Sequence, residues 1–599
     1  MKSLLLLWQK LADESASRCS TSATLDCKTV KCRVEHEGLS FLTITLPDFG
    51  KDFQKSLDQR KVDRHLFAGF QRKGELPRFL GGFLDRVFSR DSGRLLEDPC
   101  IDAILAVRQL TLMYGKMLLP SSDARLRSAM RGFVECEQDV RLADSQRTEM
   151  QRINFRRVSA MLYASIFSDV DRKIYYQEVV PKHGPGSTAD RRYGNQKWNQ
   201  NTWTARLEEI FPAGEFLLPN WRYYDQLDEV DILEPGSELP VRVVDVPKTL
   251  KTPRIIGIEP TAMQYMQQAI RTEFYESIER SDYLSKIIGF TDQTPNQRMA
   301  EEGSREGTLA TLDLSEASDR VSNQLVRDLF SQWPHLHKAV DATRSRKANV
   351  LGEGVIRLAK FATMGSALTF PIEAMVFTTL IFMGIEQELK RPLTPKDVKR
   401  LSDQVRVYGD DIVCPVDYVY PVVSMLESFG IRVNGSKSYW SGKFRESCGK
   451  EYYDGHDVSI VKVRRELPTR RQDAREVISM ISLRNQLYFA GYWQTCRWLD
   501  DRIRELINHF PDVLPSSPIQ GRHTFLGYQT DKMCTKLHRP LVRGYVVKSD
   551  IPENSLDGVG ALTKWLYKRS DLPFADENHL LRSGRPAAVN LQLRYATPY

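Results

Sequence analysis

The chain lacks every pattern that would assign it to a membrane, zinc or disulfide class. Its nine cysteines, Cys19, Cys27, Cys32, Cys100, Cys136, Cys414, Cys448, Cys496 and Cys534, never fall at Cys-x-x-Cys spacing. They are scattered, which argues against a zinc site or a disulfide framework and reads as reduced packing residues. The longest apolar run, 374–385, has 12 residues and includes two Thr, well short of the ~20 needed to cross a bilayer. No membrane span is expected. Leu4-Leu5-Leu6-Leu7-Trp8, with only Lys2 before it, is too short for a signal-peptide core and reads as the first apolar turn of a helix. Internal repeats and low-complexity segments are also missing. A strong charge excess is missing too: 85 Lys and Arg against 77 Asp and Glu leave +8. If the partner is a polyanion, the cations must therefore be concentrated locally.

What is present fits a large globular chain. With 599 residues, 41% hydrophobic and 27% charged, it is long enough for several packed subdomains. The pattern turns helical beyond about 460, with Ile478, Ile481, Leu487, Trp493, Trp498 and Ile503 spread over 477–510. The stretch 182–202, polar and rich in Gly and Asn, reads as a flexible loop. Two segments concentrate cations: Lys182, Arg191, Arg192 and Lys197 with Tyr193 and Trp198 between them, and 462–475 with Arg464, Arg465, Arg470 and Arg471. Either suits a backbone-tracking groove with stacking surfaces, or a merely solvated face.

Tyr408-Gly409-Asp410-Asp411 is the most informative motif. Short β-branched runs flank it, and Gly409-Asp410 between them predicts a two-residue hairpin turn of the Gly-first type. The two acids are then forced together, a cost that a divalent cation with oxygen ligands relieves. An adjacent Asp pair is by itself most often a solvated feature, and Asp500-Asp501 reads as one. A third acid, Asp313, ends a strand predicted over 308–314. After it Ser315 or Ser318 would cap a helix carrying Val321, Leu325 and Leu329. An acid at the carboxyl end of a strand is a common active-site position in open α/β sheets, and also a common turn residue. Farther upstream, strands at 241–246 and 255–258 flank a turn with Lys248, Lys251 and Arg254, a cationic hairpin suited to holding a triphosphate.

These motifs, in this order, resemble the palm of right-hand RNA-dependent RNA polymerases. The closer resemblance is to the replicase β subunit of levivirus-type positive-strand RNA bacteriophages. It is carried by Asp292-Gln293 with Asn296-Gln297-Arg298, by 309–315 with Ala317-Ser318-Asp319, by Thr363-Met364-Gly365, by Tyr408-Gly409-Asp410-Asp411, and by Phe444-Arg445-Glu446-Ser447-Cys448-Gly449, all within about 245–460. The resemblance implies an α+β right hand: fingers with the basic hairpin over 1–260, a palm with an antiparallel sheet and flanking helices over 261–460, and a helical thumb and C-terminal region over 461–599. It implies that Asp313, Asp410 and Asp411 hold a pair of Mg2+ ions, with Mn2+ as a possible substitute. Lys437 then protonates the pyrophosphate leaving group. Lys248, Lys251 and Arg254 clamp the incoming nucleotide, and Asp319, Gly365 and Ser366 lie at its ribose and base pair. Ser366, Ala367 and Leu368 stand where the family usually carries Asn, Gly and an aromatic. The P-loop reading of Gly430 and Gly435 fails, because Ser436 occupies the required Lys position.

The implied activity is RNA synthesis from ribonucleoside triphosphates on single-stranded viral RNA, in the cytoplasm of the bacterial host. The implied partners are host elongation factors Tu and Ts and a host RNA-binding ribosomal protein. A reverse transcriptase and a non-catalytic RNA-binding viral protein are the alternatives.

Overall fold

Helices form where apolar residues recur at three and four, and the core they build is discontinuous in sequence. The computed structural model describes residues 1–550, 553–569 and 588–599; residues 551–552 and 570–587 of the expected thumb and C-terminal region lie outside them. Helix α1 (Lys2–Arg18) buries Leu4, Leu7, Trp8 and Leu11 on one face. It lies on α3 (Ile101–Leu112), where the Trp8 indole donates to the Leu110 carbonyl at 2.8 Å. Between them, α2 (Leu46–Gln59) delivers Asp58, whose Oδ1 accepts the backbone N–H groups of Trp440, Ser441 and Gly442. Two long helices follow, α4 (Asp123–Gln146) and α5 (Glu149–Tyr175), the second opened by a capping box of Thr148 and Gln151.

Strands β1 (Val241–Val246) and β2 (Arg254–Ile258) form the expected basic hairpin. Helices α6 (Thr261–Glu279) and α7 (Thr294–Glu306) lead into β3 (Leu309–Ser315). The helix expected after β3 is broken. Residues Ala317–Arg320 make one turn, Val321 is extended, and Ser322 rather than Ser315 or Ser318 caps α8 (Asn323–Leu329) by accepting the Leu325 N–H. Strands β4 (Lys347–Val350) and β5 (Gly354–Arg357) join the basic hairpin in a four-stranded sheet of order β2-β1-β4-β5.

Helix α9 (Thr369–Leu389) is buried on every side from Pro371 to Ile385. It is long and apolar enough to cross a membrane by length and composition, contrary to the expectation from the shorter run, yet 89% of its most apolar window is buried inside the protein. Its apolarity serves the core. Next come β6 (Arg406–Tyr408), β7 (Asp411–Pro415) and β8 (Arg432–Val433), which assemble with β3 into an antiparallel sheet of order β6-β7-β3-β8. A further hairpin, β9 (Phe444–Ser447) and β10 (Lys450–Tyr453), turns at Cys448-Gly449, both with positive φ. The helical pattern expected over 477–510 is two helices, α10 (Ala474–Phe489) and α11 (Trp493–Leu506), separated at Gly491 with φ +80°.

Two large cores result. One packs residues between Phe155 and Ile431, including Leu312, Phe377, Ile412 and Cys414, beneath the β6-β7-β3-β8 sheet. The other joins residues 4–117 to residues 439–510, with Tyr545 and Leu591 added from the C-terminal region. At ~1.5–3 kcal/mol per fully buried large apolar side chain, each is a substantial driving force.

Two surface expectations are corrected. Asp500 is not a solvated acid: it is buried, and Arg484 bonds both its oxygens at 2.7 and 3.1 Å. The loop over 182–202 is internally tied, with Lys197 buried and its Nζ donating to the Gly184 and Gly186 carbonyls, while His183 stacks on Tyr265 at 4.4 Å. Phe489 at the end of α10 and Trp493 at the start of α11 are exposed and, with Phe525 and Leu526, form an apolar surface patch.

Candidate active site

The hairpin tip is dictated by glycine twice over. Gly409 has φ +61°, a region L residues rarely enter. A Cβ there would also lie 2.5 Å from the Phe370 ring. Phe370, at the start of α9, meets Tyr408 edge-on at 5.3 Å and so fixes the hairpin on the helix. Asp410 stands exposed at the tip, and Asp411 opens β7 directly opposite Asp313 in the antiparallel register. Two acids 98 positions apart in sequence (411 minus 313) are cross-strand neighbours, a spacing at which Cβ atoms are about 4.5–5.5 Å apart.

Asp313 is held from three directions. Its N–H donates to Ser438 Oγ at 3.1 Å, Asn434 Nδ2 donates to its Oδ2 at 2.9 Å, and Lys437 Nζ stands 3.5 Å from the same oxygen. The Asn434 N–H also donates to the Asp313 carbonyl at 2.8 Å. Burial, opposed by Lys437 and reinforced by Asp410, keeps the Asp313 carboxyl above its usual range. Burial, then Asp410, pushes Asp411 up to about 6, against a hydrogen bond from the Cys448 backbone. For Lys437, burial acts downward, but Asp313, Glu446 and Asp410 outweigh it and hold the ammonium above its ordinary value. The site is thus short of positive charge, with one lysine against three acids.

The basic hairpin supplies more. Burial, then Arg254 and Lys437, lowers Lys248, while Asp313 and Asp410 act on it in the opposite sense. Lys248 therefore lies within the field of both acids, with Arg254 beside it. Lys251 is directed elsewhere, to Asp48 of α2 at 3.3 Å. Gly365 makes the close backbone approach expected of it, although its neighbour is the hairpin itself. A Cβ on Gly365 would sit 1.5 Å from the Gly257 carbonyl oxygen, and one on Gly257 would sit 2.1 Å from Thr363 Oγ1. Ser366 is buried and its hydroxyl accepts the Leu368 N–H at 3.3 Å, a local turn just before α9. Asp319 pairs at 2.9 Å with Lys360, a fully buried lysine that also binds Glu137 at 3.2 Å.

Several functional neighbours escaped the sequence reading. Asn434 and Ser438 lie beside Lys437 in the chain and carried no separate signal. Lys360 and Glu137 come from segments with no motif. Glu373 had a signal that could have been used, as the sole charged residue between Lys360 and Glu386. It is buried in α9, its Oε2 has no hydrogen-bond partner, and burial, then Asp410 and Asp319, raises its carboxyl well above the usual range.

Among the described residues, no three His, Cys, Asp or Glu side chains are grouped closely enough to hold a metal ion. The donor chemistry nonetheless fits a hard cation: Asp313, Asp410 and Asp411 are oxygen donors, and burial, to which the charge of Asp410 adds, displaces Asp313 and Asp411 upward. Chemically, the arrangement offers neighbouring carboxylates, one ammonium paired with Asp313 and a cationic hairpin whose Lys248 lies in the field of Asp313 and Asp410.

The RNA replicase, beta-chain family matches residues 238–542, about half of the chain. Among curated relatives, the RNA-directed RNA polymerase beta chain of Enterobacteria phage fr is 36% identical over 216 residues, 36% of each chain. The RNA-directed RNA polymerase subunit beta of Escherichia virus Qbeta is 34% identical over 262 residues, 42% of each. These matches span 36 to 42% of the relatives' own length. Among solved structures, the BmCPV RNA-dependent RNA polymerase at elongation state aligns with TM-score 0.36 and 11% identity, covering 60% of this chain and 34% of that one.

Proposed function

The chain belongs to the RNA replicase β-chain family, and on that premise we propose that it synthesises RNA from ribonucleoside triphosphates on a single-stranded viral RNA template in the host cytoplasm. The observation that carries the proposal is the cross-strand pairing of Asp313 with Asp411 beside the Asp410 tip, with Lys437 bonded to Asp313. In this reading residues 261–460 act as the palm, the basic hairpin as part of the fingers and 461–599 as the thumb.

Asp313, Asp410 and Asp411 would hold Mg2+, which when bound supplies Lewis-acid stabilisation of the attacking and leaving oxygens. Lys248 and Arg254 neutralise the triphosphate and orient it toward the carboxylates. Lys251 joins them only by leaving Asp48. Lys437, kept charged by Asp313, holds a proton at Nζ for the leaving pyrophosphate. Asn434 fixes the carboxylate of Asp313 and Ser438 its backbone, so that the site is ordered before substrate arrives. Asp319, fixed by Lys360, presents its carboxylate as an acceptor for the ribose, while Gly365 and Ser366 set the backbone of the loop beneath the base pair. The exposed patch of Phe489, Trp493, Phe525 and Leu526 offers an apolar surface for host subunits, which in this family resemblance are elongation factors Tu and Ts and a ribosomal protein.

Incorporation of labelled ribo- and deoxyribonucleotides on RNA templates tests the proposal. Ribonucleotide incorporation that Asp410→Asn abolishes is the expected result. Preference for deoxyribonucleotides would identify a reverse transcriptase, and RNA binding without incorporation a non-catalytic protein.

A further inference from the structure

Beside Lys437, on the seam between the segment after α3 and the segment after β10, three cations come together with no ion pair or hydrogen bond to their side chains among the described residues: Lys116, Lys462 and Arg464. The seam is rigid. The Val463 N–H donates to the Met113 carbonyl at 2.9 Å and the Leu118 N–H to the Arg464 carbonyl at 2.7 Å. The side-chain amide of Gln109 exchanges two hydrogen bonds with the Val461 backbone, at 2.8 and 2.9 Å.

The other cations of the 462–475 segment are already engaged, Arg465 with Glu476, Arg470 with Asp473 and Arg471 with the Tyr545 hydroxyl. The nearest carboxylates do not neutralise the group. Glu451 is taken by Arg108 at 2.7 Å, and Glu446 makes no ion pair with any of the three. Lys116 is held below its ordinary value by desolvation and by repulsion from Lys462, Lys437 and Arg464, against Glu446, while Glu451, though paired with Arg108, also attracts Lys462 and Lys116. Fixed like charges left close together without a counter-ion are unfavourable unless an anion joins them.

We infer that Lys116, Lys462 and Arg464 form a second anion site for a polyphosphate, inorganic pyrophosphate or the triphosphate tail of a nucleotide, near Lys437. The inference rests on the polymerase reading for its biological ligand and on the seam for its chemistry. A polyphosphate is favoured over an RNA strand by compactness. A strand carries one charge per nucleotide along its length, whereas this group meets at one place and matches several charges on one small ion. Lys437 then lies near two phosphate sites, one receiving the triphosphate and the other receiving pyrophosphate after release.

The test is direct titration of the intact protein with inorganic pyrophosphate, without RNA or nucleotide, by calorimetry. The wild type should bind. Lys116→Gln with Lys462→Gln should weaken binding about tenfold or more, the loss of ~1.4 kcal/mol or more, while Lys116→Arg with Lys462→Arg retains it and excludes misfolding as the cause. RNA affinity in filter binding should be unchanged in both. Pyrophosphate binding equal to wild type in the Gln variant, or an equal loss of RNA affinity, would overturn the inference. Because calorimetry needs no turnover, a chain that binds pyrophosphate here but incorporates no nucleotide would refute the polymerase reading and leave the site standing.

Discussion

Asp313 and Asp411 face one another across adjacent antiparallel strands, and Lys437 is paired with Asp313. Such a pair opposes the folded state as soon as both acids ionise. Asp411, displaced from 3.8 to about 6, favours folding while protonated, and this contribution is lost as pH rises from about 4 through about 6. In the absence of divalent cations the protein should therefore melt higher at pH 5 than at pH 7, as far as this group decides. Asp411→Asn should raise the pH 7 melting temperature, by about 1 kcal/mol of stability, and remove the stabilisation that Mg2+ gives the wild type. Thermal melts with and without Mg2+ check both; an unchanged Mg2+ effect in the variant would show that the ion binds elsewhere.

Asp410→Asn should reduce nucleotide addition by about three orders of magnitude or more while leaving RNA affinity within about twofold, because strand binding is mainly backbone electrostatics. Single-turnover incorporation alongside filter binding separates the two.

Arg254→Ala should raise the apparent KM for all four nucleotides together, since phosphate contacts carry no base information. Lys251→Ala, which loses only the exposed contact to Asp48, should change it far less. An equal effect from both variants would mean that Lys251 swings to the substrate.

Gly365→Ala places a methyl group 1.5 Å from the Gly257 carbonyl oxygen, an overlap removable only by moving the α9 loop off the basic hairpin. The variant should lose about 1–3 kcal/mol of stability and most of its activity. Denaturant unfolding would show it, and wild-type stability would contradict this packing.

Lys360→Met leaves Asp319 and buried Glu137 without their shared cation, and should cost about 3–5 kcal/mol. If the variant folds, its discrimination between ribo- and deoxyribonucleotides should fall, because Asp319 loses its orientation. Nucleotide competition assays read this directly.

The site was legible wherever chemistry and local geometry coincide in a few residues. Gly409-Asp410 specified its own turn, and Lys248 and Arg254 declared a hairpin because two β-branched runs flank them. Register was not legible. Nothing in the sequence near Asp313 says that Asp411 is its cross-strand partner; that follows from how the whole sheet buries Leu312 and Ile412 on one side, so recognition of the family had to supply it. Partners that act singly, such as Asn434 on Asp313 or Lys360 on Asp319, have no periodicity and no flanking pattern. The misreading of Asp500 has that origin. It was judged by its neighbours in the chain, whereas Arg484, a helix away, decides its surroundings.

The joining of residues 4–117 to residues 439–510 in one core sets a timetable for synthesis. When residue 117 leaves the ribosome, its packing partners are still more than 300 residues from being made, a delay of roughly 15–65 s at 5–20 residues per second. During that interval Trp8, Phe49, Phe53 and their neighbours have no finished core to enter and present apolar surface to the cell. The segment 155–431 carries its own core and can close first, so that the acidic sheet forms before the ends of the chain meet around it. A nascent chain stalled before residue 439 would thus hold the carboxylates in place but leave the N-terminal helices as a target for chaperones and proteases.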